Sequence, residues 1–205
     1  MRVIAGTFRS RVLRAPPGLG TRPTSDRLRE TIFNILAARI AGARFLDLYA
    51  GTGAVGIEAL SRGAAFVLFA EAARPAAAAI RLNLQALGVA AGWTLEERKV
   101  EAVLDRLLLR VGSRAGDSAG GGARFDLVYL DPPYADSLAC SSTLGLLGSS
   151  RGRLLLAPGA LVVAEHGSKV SLPDSFGVLR QTRTLKQGDA ALSFYAVPPA
   201  AATDL

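Results

Sequence analysis

The chain reads as an α/β protein on a mostly parallel sheet, and three features of the sequence point there. Short apolar runs near 44–49, 66–71, 93–98, 125–131 and 160–165 alternate with helical patterns near 54–62, 74–87, 100–110 and 136–148. Such alternation implies parallel strands joined by right-handed crossovers. The first run passes directly into Gly51-Thr52-Gly53-Ala54-Val55-Gly56, a glycine fingerprint set between a strand and a helix. Near the end, 177–185 and 190–197 face each other across Lys186-Gln187-Gly188-Asp189 and read as a hairpin.

In chain order, residues 2–14 read as a short β-hairpin with arginines at its turn, and 15–24, rich in Pro and Gly, as a loop. A helix begins near Ser25, with Thr24 or Ser25 as its cap and Asp26 in the first turn. Leu28, Ile32, Ile35 and Leu36 form its apolar face, and Gly42 ends it. The strand at 66–71 finishes on Glu71, and Trp93 opens the third strand as a packing residue. Glu101 starts the next helix, where an acid also suits the helix dipole. The stretch 115–123, mostly Gly, Ala and Ser, reads as a flexible surface insertion. The fourth strand ends abruptly at Asp131-Pro132-Pro133-Tyr134, and Glu165-His166 closes the fifth. A basic extension, 1–24, followed by one domain, 25–205, is the expected organisation.

At 205 residues, half of them apolar, the chain can bury a substantial core. A single cysteine, Cys140, and a single histidine, His166, exclude a disulfide framework and argue against a Cys/His metal site. No charged start leads into an apolar core, and no run of eighteen apolar residues occurs. A reducing, cytoplasmic setting is expected. The net charge of +7 is placed unevenly: residues 1–44 hold nine arginines against Asp26 and Glu30, while the remainder holds fifteen basic and fifteen acidic residues. The whole excess thus lies ahead of the fingerprint, all of it guanidinium, which suits bidentate contact with phosphate. Arg9, Arg11 and Arg14 are the candidate nucleic-acid contacts. Arg22 and Arg27 either touch phosphate too or pair with Asp26 and Glu30; the sequence leaves both open.

The fingerprint alone fits several nucleotide cofactors. Glycines at 51 and 53 let the backbone approach a ligand, and Glu71, twenty residues on, is placed to grip a ribose diol. Asp47 separates the possibilities. A carboxylate in the first turn repels a pyrophosphate but attracts a cationic, amino-acid-bearing ligand, which favours S-adenosylmethionine over a dinucleotide. Its blander role is to cap the glycine turn. At 131–134, neither proline carries an N–H, and each pushes the preceding residue towards extended geometry. Asp131 and the Pro132 carbonyl can then accept from an amino group on a planar base while Tyr134 stacks on the ring. A conjugated amine is a poor nucleophile, and two acceptors on its hydrogens favour a pyramidal nitrogen. The rest is orientation and proximity, with no metal or covalent nucleophile required.

These motifs, together with Arg2-Val3-Ile4-Ala5-Gly6-Thr7, the block Arg22-Pro23-Thr24-Ser25-Asp26-Arg27-Leu28-Arg29-Glu30 and Glu58-Ala59-Leu60-Ser61-Arg62-Gly63-Ala64, resemble the bacterial small-subunit rRNA guanine-N2 methyltransferases of the RsmD type over nearly the whole chain. The arginine block is the specific part; the glycine loop and D-P-P-Y turn are shared with many methyltransferases. The resemblance implies a Rossmann-like class I S-adenosylmethionine-dependent methyltransferase: a mostly parallel seven-stranded sheet with an antiparallel C-terminal strand, plus a small N-terminal β-hairpin. It also implies a guanine N2 of 16S rRNA as the target, and an acid at Glu101 meeting the adenine amine. Nothing suggests an oligomer. Two other classes compete: an N-methyltransferase for adenine or protein glutamine, and a non-catalytic RNA-binding protein on this fold. A DNA enzyme would carry a target-recognition domain, a glutamine enzyme would have Asn in place of Asp131, and intact Asp47, Glu71 and Asp131 disfavour loss of catalysis.

Overall fold

A computed structural model describes residues 1–15, 25–113, 124–133 and 138–198. Helix α1 (Asp26–Ile40) starts at Ser25, whose hydroxyl accepts from the Leu28 N–H at 3.1 Å. Its buried face is Leu28, Ile32, Phe33, Leu36 and Ile40, the one-sided spacing that drives a helix onto a core. Thereafter come β1 (Arg44–Leu48), α2 (Ala54–Ser61), β2 (Phe66–Ala70), α3 (Arg74–Ala86), β3 (Trp93–Glu96) and α4 (Val100–Ser113). The chain continues through β4 (Phe125–Leu130), α5 (Ala139–Gly148), a 3-10 turn (Gly152–Leu155), β5 (Leu156–Gly167), β6 (Ser175–Phe176), β7 (Leu179–Gln187) and β8 (Ala190–Ala196).

Two compact units divide the chain, Met1–Val103 and Leu104–Leu205. In the first, β1 pairs parallel with β2 and β2 with β3, in the order β3-β2-β1. The register places Asp47 opposite Phe69 and Ala70 opposite Glu96. Four consecutive residues of β1 and of β2 are buried, as strands covered on both faces require. The second unit runs β4-β5-β8-β7-β6: β4 and β5 are parallel, and every later pairing is antiparallel. Eight strands are thus seen among the described residues, one more than expected, the addition being the two-residue β6. β5 starts four residues earlier than the apolar pattern suggests.

The expected N-terminal hairpin is reduced to a single antiparallel bridge, Arg2 to Val12. The reason lies in where the backbone bonds go. Val3 and Arg11 still pair across, but the N–H groups of Ile4 and Ala5 donate to the Glu58 carboxylate at 2.7 and 3.0 Å. Those of Thr7 and Phe8 donate to the Ser61 carbonyl and hydroxyl at 2.8 and 2.9 Å. A ladder cannot form where side chains of α2 and the Ser61 carbonyl have taken its donors. The loop expected at 15–24 and the insertion at 115–123 fall, apart from Ala15, outside the described residues.

Candidate active site

In the first unit, the residues singled out by the sequence gather where β1 and β2 end. After β1, Tyr49 adopts φ +61, a left-handed backbone that costs a non-glycine residue about 1–2 kcal/mol. Gly51 (φ +55) and Gly53 (φ +77) complete the turn, and the Gly53 N–H closes it onto the Ala50 carbonyl at 2.8 Å. Glu71, half-buried just beyond β2, reaches back to this loop. One carboxylate oxygen accepts from the Gly51 N–H at 2.8 Å and the other from the Ala73 N–H at 2.7 Å. A Cβ added to Gly51 would meet nothing within 4 Å, so that side of the loop is open to a ligand.

Asp47 lies beneath the loop with 1% of its surface exposed. Its Oδ2 accepts from the Gly56 N–H at 2.8 Å, so the carboxylate holds the first turn of α2. Burial pushes its pKa from 3.8 up to about 7; the Gly56 bond opposes that rise and the nearby Glu71 charge adds to it. Gly56 is obligatory here. A Cβ on it would lie 2.2 Å from the Phe69 ring, 2.8 Å from Val67 and 2.9 Å from the Asp47 carboxylate. Glu101 is exposed in the first turn of α4.

In the second unit, Asp131 follows β4 directly and is half-buried; Pro132 is buried and Pro133 exposed. Burial, and secondarily the Asp131 charge, raises the Cys140 thiol to about 12, so this cysteine is an inert neighbour of the turn. On the adjoining β5, Glu165 is buried and accepts from the Tyr129 hydroxyl of β4. The side chain of His166 pairs with the Ser193 hydroxyl at 2.9 Å and the Gly167 carbonyl at 3.0 Å. Burial lowers its pKa, the mark of a neutral structural imidazole. Tyr134 lies outside the described residues. Among those described, no group of three or more His, Cys, Asp or Glu is assembled as a metal ion would require.

Arg9, Arg11, Arg14 and Arg27 are all exposed, while Arg22 lies outside the described residues. Arg11 is partly engaged, donating to the Ala86 carbonyl at the end of α3 at 2.9 Å. Of the alternatives for Arg27, pairing with Asp26 is not the one adopted: Asp26 binds the buried Arg29 at 2.9 Å. Arg29 also donates to the Arg2 carbonyl and the Met1 sulfur, tying the chain start to α1.

Several residues that hold the glycine loop and the N-terminal segment of the first unit escaped the sequence reading. Fully buried Glu58 accepts from Ile4, Ala5 and Arg62; buried Ser61 holds Ala5, Thr7 and Phe8; and Asn83 on α3 holds Arg14 and Thr52. Their signal was position. Glu58 and Asn83 occupy slots on helix faces filled mainly by alanine, valine, isoleucine and leucine, where a polar residue needs a partner.

The sequence matches the family described as Conserved hypothetical protein 95 over residues 1–196. It is 34% identical over 173 residues to the Ribosomal RNA small subunit methyltransferase D of Escherichia coli K12, covering 84% of this chain and 78% of that protein. Among solved structures, a hypothetical protein of Thermus thermophilus, TTHA0928, superimposes with a TM-score of 0.75 at 29% identity, over 95% of this chain and 98% of that one. An RNA methyltransferase from Salinibacter ruber, in complex with S-adenosyl-L-homocysteine, gives 0.55 at 16% identity over 89% and 98%. The fold is therefore the Rossmann-like one of class I methyltransferases. The RsmD-type resemblance is borne out, and the chain belongs to the Conserved hypothetical protein 95 family.

Proposed function

We propose that this protein transfers a methyl group from S-adenosylmethionine to the exocyclic N2 amine of a guanine in small-subunit ribosomal RNA. The observation that carries the reading is Asp131-Pro132 at the end of β4, an acid followed by a proline carbonyl, in a chain whose Escherichia coli relative is named for methylating this RNA. Asp131 and the Pro132 carbonyl accept the two amine hydrogens, and Tyr134 offers a stacking face. Together they orient the nitrogen lone pair. A new N–CH3 bond forms as the S–CH3 bond breaks, and the surplus proton leaves the amine for water.

The first unit fits the cofactor. Glu71 keeps lone pairs for a ribose diol while its bonds to Gly51 and Ala73 hold it in place. Gly51 presents an open backbone, Gly53 completes the turn against Ile80, and Glu101 is exposed at a helix start for the adenine amine. Asp47 contributes negative potential beneath the loop. When bound, the cofactor supplies a methyl group on a sulfonium, a leaving group that needs no further activation, so the residues here bind and orient. Exposed Arg9, Arg11, Arg14 and Arg27, with Arg22, hold RNA phosphate. The target is ribosomal RNA, whether naked, in a partly assembled subunit or in the whole small ribosomal subunit, and the protein acts as a monomer.

The decisive experiment is mass mapping of methylated nucleotides in small-subunit rRNA from cells with the protein, without it, and with Asp131→Ala. One methylguanine should vanish in both deficient strains while the purified variant still binds cofactor. Full methylation by Asp131→Ala refutes the role given to the turn, and a lost mark on adenine or protein redirects the substrate.

A further inference from the structure

Asn83 stands out in the buried stripe of α3. Its neighbours there are Ala76, Ala77, Ala79, Ile80 and Leu84, yet this amide is only 1% exposed. The side chain faces two ways. Its oxygen accepts from the Arg14 N–H at 2.8 Å, and its NH2 donates to the Arg14 carbonyl at 3.1 Å, so it pairs with Arg14 much as a neighbouring strand would. The same NH2 donates to the Thr52 carbonyl at 3.2 Å. Thr52 is the residue between the two left-handed glycines. Its carbonyl shares a peptide plane with the Gly53 N–H, which is bonded on the opposite edge to Ala50. Asn83 thus fixes the orientation of the central peptide of the glycine loop. A second, weaker contact repeats the connection, the Thr52 hydroxyl approaching the Met1 sulfur at 3.7 Å. Leu13 in turn donates to the Met1 carbonyl at 3.0 Å.

We infer that Asn83 is a positioning residue that couples RNA binding to cofactor binding: one amide clamps the end of the arginine-rich segment and the loop that receives S-adenosylmethionine. Ordering either partner restricts the other, so each ligand tightens the other by the same factor. The inference rests on the RNA role given above to the arginine segment and extends it, since phosphate contact at Arg9, Arg11 and Arg14 becomes a signal to the cofactor loop. An apolar residue at 83 would pack as well in the stripe but would leave the loop indifferent to the segment.

The test is titration calorimetry of S-adenosyl-L-homocysteine, the cofactor without its transferable methyl, into the full chain, with and without a saturating small-subunit rRNA transcript. In the wild type, RNA should tighten the cofactor by a factor within about 5–150, the usual range for coupled sites. Asn83→Ala should bind each ligand separately while the factor falls towards one, and its KM for cofactor at saturating RNA should rise more than its kcat falls. Should Asn83→Ala fail to fold, amide exchange on the cofactor-free wild type gives a second reading, in which added RNA slows exchange at Gly51 and Gly53. Cofactor affinity or loop exchange unmoved by bound RNA overturns the inference, as does a factor preserved in Asn83→Ala. RNA affinity indifferent to replacing Arg9, Arg11 and Arg14 would instead overturn the reading of the segment, so the two failures are distinguishable.

Discussion

Replacing Asp47 with asparagine should stabilise the cofactor-free protein, and by an amount that grows with pH. The amide oxygen can still accept from the Gly56 N–H, so the link to α2 survives while the charge is gone. In the wild type, burial raises the Asp47 pKa from 3.8 to about 7. Between those values the folded state keeps a proton that the unfolded state has lost. The folded state then binds more protons, and stability falls as pH rises through that window. The loss is about 1.4 kcal/mol per pH unit, reaching about 4 kcal/mol in all and flat above the folded value. Urea unfolding of both proteins at pH 5, 6, 7 and 8 measures the difference, and groups common to both cancel. The gap should widen from pH 5 to 7 and then level, while Asp47→Asn binds S-adenosylmethionine more weakly. Parallel stability curves over the whole range would refute the reasoning, because the carboxylate would then be charged throughout without cost.

Glu71→Ala should weaken S-adenosylmethionine binding in calorimetry, with or without a chelator, because it removes the ribose acceptor and frees the Gly51 N–H. Gly56→Ala should cost about 1–3 kcal/mol by overpacking against Phe69 and Val67, read as a lowered thermal midpoint. Glu58→Ala strips the partners from Ile4, Ala5 and Arg62 and should cost about 3–5 kcal/mol; limited proteolysis should then cut within the first fourteen residues. Changing Arg9, Arg11 and Arg14 to glutamine should lower the slope of log affinity for RNA against log salt by roughly 0.7–0.9 per lost phosphate contact. Arg11 should contribute least, because one of its nitrogens already serves Ala86. An unchanged slope would place the RNA surface elsewhere.

Elements whose partners lie close in sequence, or whose faces are uniformly apolar, were legible from the residues. β1, β2 and α3 fall within a residue of expectation because apolar runs bounded by Gly63, Pro75 and Gly88 leave few alternatives. Ser25 was readable as a cap for the same local reasons. Long-range polar bonds were not readable. Nothing near Ile4 reveals that its N–H is claimed by a carboxylate 54 residues away, so a segment with strand-like patterning became a bridge clamped onto α2. Likewise, spacing allowed Asp26 to meet Arg22 or Arg27, whereas the i,i+3 geometry of α1 delivers Arg29. Asp47 was legible as an acid in the first turn, but its bond to Gly56 depends on how closely α2 approaches β2.

The strand order of the second unit has a consequence for how the protein is made. β8, the last strand in sequence, is inserted between β5 and β7 and pairs with both. A ribosome that has released everything up to Gln187 has therefore delivered β5 and β7 but not the strand that joins them. Each waits with an unpaired edge, and β5 carries the buried residues Val162, Val163 and Ala164. Such edges invite pairing with another chain, and while β7 is closed by a local hairpin, closing β5 requires contacts more distant in sequence, which form more slowly. Translation that stalls or stops shortly before Ala190 would yield an aggregation-prone product rather than a slightly shortened enzyme.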